Sequence, residues 1–340
     1  MIPVMTCLKT TKGVCIGLFL IFFAVIATSC SKESTLRESA YVVPEKMKLR
    51  SSVAQAARAV GELKSGDPVT ITDKEDSEDG TPWVKVKGPD GVTGWAEQRY
   101  FVRDEIVSES RKIADKIKDI QTQAVGKSKA SLKLRLTPDR VNEENVASTL
   151  PSGTMMEIVA RDRKPKPAAV TGSESETEAA ASAGEVKYDD WYLVRLRDFT
   201  VLPAGWIYGG SVGLEIPPEV VYFVSNGRRI SGWLKIGTVH GDDGTSGEHY
   251  LILERKIFGV DEQMDFDRIK ILAYDPSTRN YSTPFREDVS GKFPVRLEMQ
   301  GTSGKFELNA IDKNNQSVRH TYFIQMLENG KIKVDKPGKK

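Results

Sequence analysis

Cysteine is the first residue type to consider for chemistry, because a thiolate can act as a nucleophile, a metal ligand or half of a disulfide. The 340-residue chain has three cysteines, Cys7, Cys15 and Cys30. Everything downstream of Cys30 therefore lacks a thiol. This excludes a catalytic cysteine, a disulfide framework and a cysteine-based zinc site from the body of the chain.

The three histidines, His240, His249 and His320, are the remaining candidates for metal binding or proton transfer. His240 and His249 fall with three carboxylates in one predicted glycine-rich loop. Their spacing matches no common zinc or calcium loop, so a solvated hairpin tip is favoured, and no metal or cofactor is predicted. His320 lies in an alternating strand pattern and is expected on its polar face.

Motifs of familiar enzyme classes are missing from the sequence. It contains no Gly-x-Ser-x-Gly elbow, no phosphate-binding loop and no His-Glu-x-x-His helix. A carboxylate pair for glycan hydrolysis would leave no local signature, because its two acids come from distant parts of a fold. We predict no catalytic activity, with one alternative: a cell-wall or glycan hydrolase with an unrecognised carboxylate site in the C-terminal region.

A set of short motifs occurs twice in the same order, which indicates an internal repeat of small β-rich units. The motifs are a Leu-Arg pair, a Leu-x-x-Gly turn, a Trp-hydrophobic-x-Val strand and a Gly-Trp pair. They are Leu49-Arg50, Leu63–Gly66, Trp83–Val86 and Gly94-Trp95 in the first copy, and Leu134-Arg135, Leu150–Gly153, Trp191–Val194 and Gly205-Trp206 in the second.

This order of motifs resembles the bacterial SH3-like (SH3b) domain. The resemblance implies two small SH3-like barrels, at residues 40–103 and 128–213, in a mainly β protein. The second copy departs from the pattern in Met155-Met156 of its second strand and in a long insert before Trp191.

The resemblance also implies where a ligand would bind, because the ligand of an SH3-like barrel lies across aromatic side chains exposed between loops. Rigid aromatic rings give a large contact area at low entropic cost. The candidate residues are Trp83, Trp95 and Tyr100 in the first copy, and Trp191, Tyr192, Trp206 and Tyr208 in the second. Packing in the core is the alternative for each tryptophan, and it is favoured for Trp83 and Trp191.

Residues 1–29 resemble a bacterial lipoprotein signal peptide. Two lysines precede an apolar segment, Gly13–Ile26, that is too short for a comfortable bilayer span. Small residues follow, and then Cys30, whose thiol we expect to carry a diacylglycerol. Two or more acyl chains would anchor the protein stably, with residues 30–39 as a tether. An ordinary signal peptide with an incidental cysteine, or an uncleaved anchor, are the alternatives.

Residues 104–126 are predicted to form one amphipathic helix between the two copies. Five apolar residues fall on one stripe among charged residues: Ile106, Ile113, Ile117, Ile120 and Ala124. We expect this stripe to pack on a neighbouring barrel, with a dimerising coil as the alternative.

The insert in the second copy, residues 161–187, is predicted to be a disordered loop. It contains a basic run, Arg163–Pro167, and an acidic run, Ser173–Ser182, and few bulky apolar residues. Such a composition cannot bury enough surface to offset the ordering entropy. A neutral insertion is favoured over a regulatory or partner-binding loop.

Residues 218–335 predict an antiparallel meander of about eight strands, either a sandwich or a closed barrel. The pattern runs from Val220–Val224 to Lys331–Val334, with hairpin signals such as Asn226-Gly227 and Asn329-Gly330. The region resembles no family that we recognise.

The formal net charge is +2, and residues 1–29 account for all of it. The remainder is neutral, which gives no electrostatic reason to expect nucleic-acid binding. Together these features predict a lipid-anchored membrane protein of the cell envelope that faces the periplasm or the exterior. Its SH3b units would bind cell-wall peptide or an envelope protein partner. A purely structural assembly factor is a third alternative.

Overall fold

The computed structural model describes residues 37–166, 188–258, 264–327 and 330–336. Apart from Arg37, these belong to one compact unit, Glu38–Lys340. The fold is mainly β, as predicted, with three antiparallel seven-stranded sheets. No helix of the described ranges is long and apolar enough to cross a bilayer. The predicted signal peptide, the lipidated Cys30 and most of the tether lie outside the described residues.

The first sheet, which we call the first module, spans residues 38–103. Its strand order is β3-β2-β6-β5-β4-β1-β7. Alternate side chains of these strands, including Val42, Leu49, Val84 and Val86, are fully buried in one core. The strands are β1 (Glu38–Val42), β2 (Lys46–Arg50), β3 (Ala59–Lys64), β4 (Pro68–Asp76), β5 (Pro82–Lys87), β6 (Thr93–Glu97) and β7 (Phe101–Arg103).

The second sheet, the second module, spans residues 124–214 and has the order β10-β9-β13-β12-β11-β8-β14. Counted from its own first strand, this is the same order as in the first module. The strands are β8 (Ala124–Ser128), β9 (Leu132–Arg135), β10 (Val146–Leu150), β11 (Met155–Pro165), β12 (Tyr188–Arg195), β13 (Ala204–Tyr208) and β14 (Val212–Leu214). The module begins at Ala124, four residues before the predicted boundary.

The helix between the modules, α1, covers Asp104–Ile117 and is shorter than predicted. Arg195 ends it, because its Nη1 donates to the carbonyl oxygens of Ile117 at 2.9 Å and Ile120 at 2.8 Å. Ala124 already belongs to β8. The expected apolar stripe packs on the second module, where Ile117 lies in a small cluster with Val159 and Ala204.

The predicted disordered insert starts later than expected. Arg161–Pro165 continues β11 and pairs with β12 from Tyr192 to Tyr188. The basic residues are ordered by ion pairs: Arg161 Nη2 and Arg163 Nε lie 2.7 and 2.8 Å from Asp190 Oδ1. Composition alone overlooked these partners across the sheet. Residues 167–187 lie outside the described residues.

The C-terminal sheet is a simple meander in which each strand pairs with the next, from β15 to β21. This confirms the predicted antiparallel meander. Its strands are β15 (Arg228–His240), β16 (Ser246–Lys256), β17 (Phe266–Asp275), β18 (Asn280–Gln300), β19 (Ser303–Ile311), β20 (Ser317–Met326) and β21 (Ile332–Asp335).

Two parts of this region differ from the prediction. Val220–Val224, expected as a strand, lies largely in the short helix α2 (Pro218–Tyr222), where Pro218 occupies an N-terminal position that suits proline. Strand β18 is far longer than the predicted Val295–Met299. Its Pro284 and Pro294 fall inside register shifts, where no ladder hydrogen bond is needed from proline.

The second module shares its core with its neighbours. One cluster contains its inner side chains together with Val107 of α1 and with Trp233, Ile252 and Leu272 of the C-terminal sheet. The opposite face of the C-terminal sheet buries a separate core around Phe266 and Phe306. The second module is therefore held between α1 and the C-terminal sheet by apolar burial, the dominant favourable term in folding.

Candidate functional site

The repeated Gly-Trp pairs have a steric basis. A side chain at Gly94 would meet Leu49 Cβ at 2.8 Å, and one at Gly205 would meet the Arg135 carbonyl oxygen at 2.8 Å. In each module this glycine lets the sixth strand approach the second. The following tryptophan, Trp95 or Trp206, then pairs with the arginine of the Leu-Arg motif, Arg50 or Arg135.

The tryptophans lie on the outer face of each sheet and not in the module core. Val84 and Ala96 alternate with Trp83 and Trp95 and point inward, so the tryptophans point outward. Trp83 is nevertheless only 4% exposed and Trp95 9%. The burial of Trp83 agrees with the core packing favoured for it, although its side chain lies outside the apolar cluster on the inner face.

The second module repeats this arrangement. Trp191 is 2% exposed and Trp206 is partly buried, while Val194 and Ile207 on the inner face are fully buried. Tyr192 also points inward and joins the core on the opposite side from Trp191. The structure therefore separates Tyr192 from the other predicted ligand-binding residues.

Burial on an outer face requires a cover, and the loop after the second strand supplies it. In the first module Arg50 Nη1 donates to the Ala57 carbonyl oxygen at 3.1 Å. In the second, Arg135 Nη1 donates at 2.7 Å to both the Asn142 carbonyl oxygen and Asn145 Oδ1. The arginine of each Leu-Arg motif thus holds the loop that covers Trp83 in the first module or Trp191 in the second. The sequence alone did not reveal this role.

Beneath the loop of the first module lies a depression of about 260 Å³, which we call the first groove. Trp83, Tyr100 and the buried carboxylate of Glu97 contribute to it, and Lys46 and Lys48 lie at its edge. Glu97 Oε1 accepts a hydrogen bond from Gln55 Nε2 at 2.7 Å, and its Oε2 lies 2.7 Å from Arg99 Nε. The complete lining is Pro44, Lys46, Met47, Lys48, Arg50, Gln55, Trp83, Ala96, Glu97 and Tyr100.

The corresponding depression of the second module, the second groove, measures about 330 Å³. Trp191 and the buried carboxylate of Asp189 contribute to it, and Tyr208 packs edge-on against Trp191 with 6.1 Å between ring centroids. Arg140 Nη1 donates to Asp189 Oδ2 at 3.0 Å. The lining is Pro138, Asp139, Arg140, Lys164, Pro165, Asp189 and Trp191.

The structure therefore gathers Trp83 with Tyr100, and Trp191 with Tyr208. Sequence reasoning missed the polar groups of the grooves, Glu97 in the first and Asp189 with Arg140 in the second. Arg99, the ion-pair partner of Glu97, lines a neighbouring cavity of about 680 Å³ that shares Gln55 and Glu97 with the first groove. A signal was available for Glu97 alone, since it follows the Gly-Trp motif at strand spacing and faces Trp83 across the strand pair.

A third cavity, about 310 Å³, lies between the second module and the C-terminal sheet. Burial lowers the pKa of the Arg161 guanidinium, but the charges of Asp190 and Asp265 outweigh this, and the pKa is raised. For Asp265 burial prevails and raises the pKa of the carboxyl group. Arg161 is ion-paired at 2.7 Å to Asp190 within the second module and at 3.5 Å to Asp265, which directly precedes β17, so these charges join the second module to the C-terminal sheet.

The predicted histidine loop is shorter than expected, because His240 ends β15 and His249 lies within β16. His249 is fully buried, and its Nδ1 accepts a hydrogen bond from the Tyr274 backbone N–H at 3.0 Å. His320 is partly buried, with Nδ1 3.5 Å from the Tyr322 hydroxyl. Among the described residues, no group of three or more His, Cys, Asp or Glu side chains could hold a metal ion.

Comparison with known proteins bears on the first module. Residues 45–102 match the bacterial SH3 domain family. The first module is a bacterial SH3 domain. The match takes in the Leu-Arg motif, Trp83, the Gly-Trp pair and Tyr100, so the first groove belongs to this SH3 domain.

Other comparisons add little. No curated protein matches the chain. One similar solved structure is that of NlpC2 from Trichomonas vaginalis, with 10% sequence identity over 89% of this chain and 97% of that chain. Its TM-score is 0.17, which is too low to bear on the function of this protein.

Proposed function

We propose that this protein is a non-catalytic binding protein of the cell envelope, and that its SH3 domain recognises cell-wall peptide in the first groove. The observation that carries the proposal is the bacterial SH3 domain at residues 45–102, whose groove combines an aromatic wall with a buried carboxylate. Such domains suggest cell-wall binding. The groove volume of about 260 Å³ suits a short peptide segment more than a folded partner.

We further propose that the second module is a second SH3-like unit. Its strand order, its Gly-Trp contact and its loop-holding arginine parallel those of the first module. Two weak sites on one chain raise the apparent affinity by about 10²-fold or more when both engage the same polymer. The crosslinked cell wall offers many equivalent peptides, so a tandem arrangement would suit it.

The anchor is part of the same proposal. Cys30 follows a signal-like apolar segment and small residues, and acylation there would hold both modules at the membrane surface. Metabolic labelling with a palmitate analogue should tag the wild-type protein and leave the Cys30→Ala variant untagged. Equal labelling of the two proteins would contradict acylation of Cys30 and would leave the proposal for the grooves unaffected.

The binding proposal is tested by pull-down of the full chain on purified peptidoglycan. Combined Tyr100→Ala and Tyr208→Ala changes should reduce the retained fraction by about tenfold, since Tyr100 lines the first groove and Tyr208 packs against Trp191 of the second. The matched control is Tyr222→Ala, because Tyr222 is 84% exposed on α2 and lies outside both grooves. Unchanged retention of the double variant, with its fold intact by circular dichroism, would contradict the proposal. Release of soluble wall fragments by the wild type would contradict its non-catalytic part.

A further inference from the structure

One exposed arginine is paired with a buried carboxylate of each groove: Arg140 lines the second groove itself, and Arg99 reaches Glu97 of the first groove from the neighbouring cavity. The side chain of Arg99 is 68% exposed and that of Arg140 is 46% exposed, yet each is paired with a carboxylate that is almost completely buried. Exposed ion pairs between two flexible side chains contribute little to stability. Here one partner is fixed, because the side chains of Glu97 and Asp189 are only 5% and 2% exposed.

A tyrosine ring restrains each guanidinium further. Arg140 lies over the Tyr208 ring with 5.0 Å between its Cζ and the ring centroid, and Arg99 lies over the Tyr100 ring at 5.2 Å. A guanidinium stacks favourably on an aromatic face while its edge remains available for hydrogen bonds. A carboxylate and a ring together thus orient each arginine in advance of any ligand.

The two arrangements are assembled from positions that do not correspond in the repeat. Arg99 and Tyr100 follow β6, and Glu97 ends that strand. In the second module Arg140 comes from the loop after β9, Asp189 from β12 and Tyr208 from β13. The recurrence therefore does not follow from the shared strand order.

The chemistry of an oriented guanidinium defines what it binds. Its five N–H donors match a carboxylate in a two-bond, planar geometry, and a pre-oriented fork loses little entropy on binding. Arg140 pairs with Asp189 through Nη1. Within the described residues the other N–H groups of this half-exposed guanidinium make no hydrogen bond, so they are available to a ligand. Nearby lysines, Lys164 at the second groove and Lys46 and Lys48 at the first, add positive charge.

We propose that the peptide bound at each module presents a free carboxylate, which Arg140 receives in the second groove and Arg99 receives at the border between the first groove and the neighbouring cavity. This inference rests on the proposed function, since it names the chemistry of the ligand of the same grooves. The ligand is an acidic peptide, and amidation of its carboxylates removes the feature that the arginines recognise.

The test uses the full chain and two synthetic wall-type tetrapeptides that differ only in having free or amidated carboxyl groups. Titration calorimetry should show the free acid binding about tenfold or more tightly than the amide, as expected for a charge-assisted two-bond contact. Combined Arg99→Gln and Arg140→Gln changes should abolish this preference. The control is Arg111→Gln, since Arg111 also stacks on a tyrosine, Tyr41 at 5.6 Å, but lines neither groove.

The outcomes separate the two proposals. Equal affinity for both peptides, or a preference that survives the double change, would overturn the carboxylate inference and leave wall binding in place. Binding of intact wall without binding of either peptide would also overturn it. Binding of neither wall nor peptide would overturn the proposed function and this inference together.

Discussion

Gln123 and Val295 are joined by two hydrogen bonds, one in each direction. Gln123 Nε2 donates to the Val295 carbonyl oxygen at 2.9 Å, and the Val295 N–H donates to Gln123 Oε1 at 2.8 Å. The amide side chain thus takes the place of a neighbouring strand beside β18. Gln121 makes the same pair of contacts with Leu297, at 2.7 and 2.6 Å. The segment between α1 and β8 is in this way attached to the C-terminal sheet.

Loss of this contact should destabilise the protein. Gln123 is fully buried, so Gln123→Ala would leave both backbone groups of Val295 without a partner. We expect the free energy of unfolding to fall by about 2–6 kcal/mol, since each of the two buried unsatisfied groups costs about 1–3 kcal/mol. Urea denaturation of the variant measures this. Gln98→Ala, at an exposed position, is the control, and an equal effect of both changes would contradict the assignment.

The Gly-Trp motif should tolerate no side chain on its glycine. At Gly205 a Cβ would lie 2.7 Å from Leu134 Cδ1 and 2.8 Å from the Arg135 carbonyl oxygen. Gly205→Ala should therefore lower the free energy of unfolding by about 1–3 kcal/mol, the usual cost of overpacking. At Gly213 the nearest atom is the flexible Lys129 Cε at 3.3 Å, so Gly213→Ala should have a smaller effect. Thermal denaturation of the two variants measures both effects. A larger effect of Gly213→Ala than of Gly205→Ala would show that close approach of the strands is not the reason why a glycine is needed at position 205.

Arg135 should control the loop over the second groove. Its side chain is 6% exposed and bonds to Asn142, Asn145 and Glu143 within residues 136–145. Arg135→Ala should increase amide hydrogen exchange in this loop by at least about tenfold, because several hydrogen bonds that hold it are lost together. Lys133→Ala, which removes only an exposed partner of Glu143, is the matched control. Unchanged exchange in the Arg135 variant would show that the loop is held by other contacts.

Acid should weaken the C-terminal sheet through His249. Burial lowers the pKa of this imidazole in the folded protein, and its Nδ1 accepts the Tyr274 N–H only when it is unprotonated. Since the folded pKa lies below the unfolded value of about 6.5, the unfolded chain binds the proton more readily, and stability is lost as pH falls below that value. The urea midpoint should drop between pH 7.5 and 5.5. The drop should be smaller in His249→Gln, which keeps an acceptor but does not titrate, and an identical drop would assign the effect to other groups.

The sequence predicted the features that depend on local pattern. The Leu-Arg, Leu-x-x-Gly and Gly-Trp motifs predicted the first module, and alternation predicted the meander of the C-terminal sheet. These features succeed because strand alternation and turn glycines act over a few residues, within reach of a pattern.

The remaining features depend on partners that are distant in sequence. The end of α1 is set by Arg195, and the order of Arg161–Pro165 by Asp190, neither of which a local window contains. The burial of Trp83 and Trp191 on the outer face depends on loops that return over the sheet. The polar half of the second groove brings Arg140 to Asp189 across 49 positions, a contact that no spacing rule predicts.

Hydrogen exchange of the full chain, with and without a soluble wall peptide, tests the central claim most directly. We predict that added peptide will slow exchange in residues 51–58 and 136–145, the loops over Trp83 and Trp191, and leave β18 and β19 unchanged. Slowed exchange confined to the C-terminal sheet, with neither loop affected, would contradict binding in the grooves.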